Sequence, residues 1–306
     1  MRRAAGRTVT MLALLAAVAL PVAAGANCRE GAATLRAALA ARDLEAARTG
    51  FEAVLAEPSC DDAFRDRAGR AVSALHARAA QERIAAGASL ASQQRLLERG
   101  LGYGRAWPVL ALLGDEAAAR RDHDEAAALY QEALTVIDDE ARTPRPPSVA
   151  EIERIFDGAA RSRLLARAHR PAPRTRSGAP GGLGAERIRG FTVKRVPVPI
   201  GFHTDSDRFT ERGQLAVAEL AEDLMAQRPA RIAIAGHTDP RGAAPYNLAL
   251  SQRRAEAVGR YLREHGFRGG IDVVAKGESE RFPVADPSAW TQEERWRMDR
   301  RVELIR

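Results

Sequence analysis

The sequence predicts a chain in two parts, an all-α N-terminal region followed by an α+β C-terminal domain with a mixed four-strand sheet. Three observations lead there. Residues 27–169 are rich in alanine, with almost no β-branched runs and no Gly-Pro hairpin signals, a composition that favours helices. Residues 186–306 alternate between strand-like and helix-like patterns, as a compact layered domain does. Between them, residues 170–185 are rich in proline and glycine and lack apolar periodicity. This is linker composition, stiff at the proline end and loose at the glycine end, with an extended reach of about 50 Å at roughly 3.1 Å per residue.

The first residues predict the compartment. Arg2, Arg3 and Arg7 precede an apolar run from Val9 to Ala19, then Pro21 and the small triplet Ala24-Gly25-Ala26. That order reads as a secretory signal over residues 1–26, cleaved after Ala26. The run is too short to span a bilayer, which takes about 20 residues, and no later segment comes close. An uncleaved anchor and lipid modification of Cys28 are the alternatives; against the second, Asn27 stands where a lipobox wants a small residue. Cys28 and Cys60 are the only cysteines. In an oxidising compartment they are expected to form one disulfide. Closing a loop of about 33 residues contributes roughly 3–4 kcal/mol in the chain-entropy model. Two cysteines without nearby histidines cannot supply the four ligands of a structural zinc site.

The net charge of +7 is almost all arginine, the only lysines being Lys194 and Lys276. With so much alanine, this reads as coding bias and not as a nucleic-acid signal. The excess is concentrated between Arg142 and Arg195, where 13 basic residues face four acidic ones. A solvated linker accounts for it, and contact with anionic envelope polymers is the alternative.

Within the helical region a faint repeat appears. Arg42-Asp43-Leu44-Glu45-Ala46-Ala47 leads to Phe51 and Leu55, and Arg121-Asp122-His123-Asp124-Glu125-Ala126 leads to Tyr130 and Leu134, at an offset of 79 residues. The second copy resembles a tetratricopeptide repeat, with Leu113-Gly114 and Ala117 on one helix and Ala126, Tyr130 and Ala133 on the next. The first copy lacks the Leu-Gly pair and has Val54 in place of the second small residue. The resemblance implies helical hairpins whose concave face holds another protein. Pro144 to Pro147 breaks the region, and Ser148 is placed to cap one last helix over about 149–168.

In the C-terminal part, Val193 to Phe202 alternates as a strand, its prolines placing it at a sheet edge. Thr210 is expected to cap a helix to about Gln227, and Arg231 to Ala235 to form a short buried strand ending at Gly236. Pro245 opens a helix that Gly266 stops; Ile271–Ala275 and Val302–Ile305 read as the remaining strands.

The chemistry gathers here. Asn247, Ser251 and Arg254 fall at i, i+4 and i+7 and so share one helix face, while Asp239 follows the C-terminal end of a buried strand, where ligands of such sheets collect. Gly236-His237-Thr238-Asp239, Gly242, Tyr246-Asn247, Leu250-Ser251, Arg254-Ala255 and Val258, closing with Arg300-Arg301-Val302-Glu303, resemble the OmpA-like peptidoglycan-binding domain over about residues 193–306. The resemblance implies that Asp239 takes the ammonium and Arg254 the carboxylate of diaminopimelate, the zwitterionic cross-linking residue of many peptidoglycans. It extends to Asp205, Thr204 and Arg300 as further ligand-side residues, with Asn247, Ser251 and Gly242 in support. Two departures fall at the rim: His203-Thr204 stand where the family commonly has Asp-Phe, and Asp299 replaces an asparagine.

No paired-histidine metal motif, nucleophile elbow, phosphate loop or dinucleotide fingerprint is present. The expectation is therefore an exported, non-enzymatic envelope protein without cofactor or nucleic-acid partner. Its C-terminal domain would fasten a helical protein-interaction domain to peptidoglycan in the periplasm of a Gram-negative envelope. The alternative is an assembly adaptor whose main activity is protein binding by the helices. A wall hydrolase would need a catalytic acid pair or zinc cluster in the N-terminal part, and none is arranged there.

Overall fold

The computed structural model describes residues 26–306, so the leader predicted over residues 1–26 lies outside them except for its last residue. The N-terminal region is helical throughout: α1 (Ala26–Ala41), α2 (Leu44–Ala56), α3 (Asp62–Ala85), α4 (Gln94–Tyr103), α5 (Trp107–Ala119), α6 (His123–Asp138) and α7 (Val149–Leu165). Short polar side chains start several of them. The carboxylates of Asp43, Asp61 and Asp122 and the hydroxyl of Ser148 accept otherwise orphaned N–H groups in the first turns of α2, α3, α6 and α7. Cys28 and Cys60 are joined, fixing the start of α1 to the α2–α3 connection.

Close helix approach depends on glycine at several places, among them the contact around Tyr130. Tyr130 of α6 lies between Gly114 of α5 and Gly158 of α7, where a Cβ on either glycine would come within 2.8 Å of the ring. The buried phenol is satisfied by donating to Asp115 at 2.7 Å. The two copies of the faint repeat differ at their last position. Leu134 is fully buried, whereas Leu55 is 49% exposed, because α2 lies at the end of the array with less around it. The last helix ends three residues earlier than expected. The N–H groups of Arg167 and Ala168 leave the helix and donate to the Asp124 carboxylate at 3.1 and 3.0 Å.

The C-terminal domain holds β3 (Arg195–Val198), α8 (Glu211–Gln227), β4 (Arg231–His237), α9 (Ala244–Glu264), β5 (Gly270–Gly277), α10 (Gln292–Asp299) and β6 (Val302–Ile305). The sheet order is β3-β6-β4-β5, antiparallel except for the parallel β4–β5 pair, hence a mixed four-strand sheet. A two-residue-per-strand hairpin, β1 (Arg187–Ile188) with β2 (Phe191–Thr192), precedes it. Two elements go beyond the sequence reading: this hairpin and α10.

The segment over 170–185 departs most from expectation. It is folded back and packed, not extended. Gly181 N donates to Pro173 O at 2.9 Å, Ala172 N to Glu219 Oε1 at 2.6 Å, and Leu183 is fully buried. Its composition signals backbone freedom, but Leu183 and Ala185 still offer apolar surface, and Glu219 supplies an acceptor for an N–H that would otherwise be buried alone. One continuous core results, running from Leu134 and Ile155 through Leu183 and Ile188 to Val198 and Leu304. Polar contacts reinforce the joint. Glu219 is buried between the Arg163 guanidinium and the Ala172 N–H, and Arg121 donates to Ala289 O at 2.8 Å while His123 stacks on Trp290. No helix of the described residues is long and apolar enough to cross a membrane.

Candidate functional site

The site forms where β4 ends against the N-terminal half of α9. Gly236 makes the approach possible: a Cβ there would lie 2.2 Å from Ser251 O. Ser251 ties α9 to β5, its hydroxyl donating to Leu248 O at 2.7 Å and accepting from Gly277 N at 2.9 Å. Asn247, also buried, donates from Nδ2 to Asp239 O at 3.3 Å, to Arg241 O at 3.1 Å and to the Glu278 carboxylate. It thus braces the turn carrying Asp239. Gly242 completes that turn at φ +101°, a conformation that favours glycine.

Asp239 is 6% exposed, and its carboxylate is fully engaged. Oδ1 accepts from Arg241 N at 3.1 Å and Arg241 Nε at 3.0 Å; Oδ2 accepts from Arg241 Nη2 at 2.7 Å and Arg300 Nη1 at 2.7 Å. Two oxygens offer about four lone-pair positions, so all are occupied. Burial pushes the carboxyl pKa up, but the hydrogen bonds from Arg241 and Arg300 outweigh it and hold the group at about 2. Arg300 in turn donates to Glu293 of α10 at 2.7 Å, and the Arg241 guanidinium lies over the Trp296 ring at 4.7 Å.

Arg254 is 8% exposed and makes no carboxylate contact. It donates from Nε to Ser206 O at 3.0 Å and from Nη2 to His203 O at 3.3 Å, and lies over the Phe202 ring at 5.0 Å. Burial lowers its pKa first, then repulsion from Arg300; the charges of Asp205 and Asp239 oppose this. Asp239, Arg254 and Arg300 therefore share one electrostatic neighbourhood. Thr204 and Asp205 are exposed on the loop whose carbonyls hold Arg254, with Asp205 at φ +52°. Nothing in the structure bonds the Thr204 side chain. Among the described residues, no three His, Cys, Asp or Glu side chains gather to hold a metal.

The OmpA family matches residues 201–297, which include Asp205, Asp239, Asn247, Ser251 and Arg254. The peptidoglycan-associated lipoprotein of Rhizobium meliloti is 33% identical over 120 residues, covering 37% of this chain and 68% of the relative. The chain belongs to the OmpA family. The lipoprotein of the same name from Pseudomonas putida is 38% identical over 104 residues, 34% of this chain and 59% of its own length. This chain thus spans about three-fifths of that relative, and its helical region lies outside the match. The crystal structure of the peptidoglycan-associated lipoprotein from Burkholderia pseudomallei aligns at 30% identity and a TM-score of 0.31, over 37% of this chain and 89% of the other.

Two OmpA-family site features escaped the sequence reading. Arg241 supplies three of the four hydrogen bonds on Asp239. Its signal was its position two residues after the acid, the spacing at which a side chain folds back onto a turn. The second is α10, which carries Glu293 and Trp296 to the rim. It opens with Thr291 and Glu294 in a reciprocal capping box, a pattern legible in the sequence as Thr-x-x-Glu.

Proposed function

We propose that this OmpA-family domain binds peptidoglycan non-covalently, by the free zwitterionic end of diaminopimelate in the stem peptide. The observation that carries the proposal is the cluster of buried Asp239 with Arg300 and Arg254 at the β4–α9 junction, inside the family's matched segment. Arg254 uses Nε and one Nη2 bond on loop carbonyls, leaving Nη1 to donate to the ligand carboxylate. Asp239 takes the ammonium in exchange for Arg241, whose side chain is 58% exposed and free to swing outward. Arg300 keeps the Asp239 carboxylate oriented. Thr204 and Asp205 form the outer rim, and Asn247, Ser251 and Gly242 hold the turn.

The relatives' name, peptidoglycan-associated lipoprotein, supports this ligand and a place in the Gram-negative envelope, on the periplasmic face of the outer membrane or wall. The protein is non-catalytic on this reading. The helical region, with α5 and α6 as a tetratricopeptide-like unit, presents a surface for an envelope protein and is carried to the wall by the C-terminal domain. Sedimentation with purified sacculi tests the assignment. Asp239→Ala and Arg254→Ala proteins should stay in the supernatant; if both pellet like the parent, the site is wrongly placed.

A further inference from the structure

At the joint between α7 and the C-terminal domain lies a cavity of about 140 Å³, with room for several waters or one tetrahedral oxyanion. Its lining is strongly cationic: Arg212, Arg254, Arg297, Arg300 and Arg301 converge on it. Two of these are neutralised, Arg300 by Asp239 and Glu293, Arg301 by Glu303. The other three make no salt bridge among the described residues, and their hydrogen bonds go to backbone carbonyls. Arg212 Nη2 donates to Arg163 O at 2.8 Å, Arg297 Nη2 to Leu165 O at 2.9 Å and Ala166 O at 3.3 Å, and Arg254 to the 203–206 loop.

One donor at this cavity is also unsatisfied. Arg212 Nε is buried without a partner, while the buried His237 ring faces Glu303, its Nε2 at 3.5 Å. Buried donors left unpaired and like charges brought together both cost stability. A bound anion offsets both. We infer that this cavity is an anion site for a small tetrahedral oxyanion, inorganic phosphate or sulfate, held by Arg212, Arg254 and Arg297. Because Arg212 and Arg297 also grip the last carbonyls of α7, occupancy fastens the helical region to the C-terminal domain.

This site shares Arg254 with the peptidoglycan reading but rests otherwise on Arg212 and Arg297, which take no part in holding diaminopimelate, so variants at those two separate the readings. The test is titration of the full mature chain with sodium phosphate, against sodium chloride at matched ionic strength, following the thermal midpoint and the phosphorus resonance. Saturable stabilisation by phosphate beyond chloride is expected. Arg212→Gln and Arg297→Gln should each weaken it about tenfold, the factor one charge-assisted hydrogen bond carries. Arg212→Lys, which keeps the charge and folds with least disturbance, should weaken it less. Equal effects of phosphate and chloride on the parent would overturn the inference, as would unchanged phosphate affinity in the Gln variants. Sacculus binding by Arg212→Gln should persist, separating loss of this site from loss of the wall site.

Discussion

Arg241→Ala is expected to strengthen binding to the wall, although it removes a positive charge from a site facing an anionic polymer. All four acceptor positions of Asp239 are filled, two of them by the Arg241 side chain. A ligand ammonium can reach the carboxylate only by displacing one donor. Arg300 is anchored at its far end by Glu293, whereas the Arg241 side chain is 58% exposed and held otherwise only by its stacking over Trp296. Arg241 is thus the donor that yields. Exposed ion pairs of this kind contribute roughly 0.2–1 kcal/mol. At 1.4 kcal/mol per tenfold, removing the competitor raises affinity by about 1.4- to fivefold. The assay is calorimetric titration of the parent and the variant with a diaminopimelate-containing muropeptide, repeated at high salt to screen the general attraction. Arg241→Lys, which cannot form the same fork, should fall between them. Affinity equal to or below the parent's would refute displacement and make Arg241 a ligand contact.

Three further outcomes follow from the same contacts. Asp239 has a folded pKa of about 2, below the ordinary carboxylate value, so its stabilising contribution is complete above about pH 4 and disappears as pH falls towards 2; the difference in thermal midpoint between parent and Asp239→Asn should be constant above pH 4 and close below it. Reducing Cys28–Cys60 opens a loop spanning a sequence separation of 32, and chemical denaturation should show a loss of roughly 3–4 kcal/mol, with no loss if the reduced chain keeps the loop closed in its unfolded state. Tyr130→Ala empties the space between Gly114 and Gly158 and should cost about 3–5 kcal/mol by the same measurement, a figure that a smaller loss would reduce to surface packing.

The strands and helices of the C-terminal domain were legible because their signals are local. Thr210 caps α8, Pro245 sits in the first turn of α9, and Val302–Ile305 is a strand to the residue. The helical nature of the N-terminal region was legible for the same reason, from alanine content and the Ser148 cap, and so was the joining of Cys28 to Cys60. What local signals could not carry was engagement. The sequence places Asp239 and Arg254 near one another but cannot say that Asp239 is already saturated, because Arg241 competes through a rotamer and Arg300 arrives from the end of α10, 61 residues away. The 170–185 segment shows the same limit. Proline and glycine report how freely a backbone bends, while its burial is decided by Glu219 on α8 and by the apolar wall of α6 and α7.

That packing changes what the helical region can be. A tether of about 16 extended residues would have left it independent of the wall site, whereas the observed joint packs it against the C-terminal domain, with α10 reaching from one to the other. α10 faces both ways. Glu293 and Trp296 reach Arg300 and Arg241 on the ligand side, while Glu294 and Arg297 reach Arg121 and the end of α7 on the other. These residues are i, i+3 and i+4 neighbours on two turns, so a shift of α10 driven from the helical side moves the donors that fill Asp239. A partner seated on the helices would alter wall affinity by displacing α10, and cutting the Arg121–Glu294 contact is the change that should weaken that coupling.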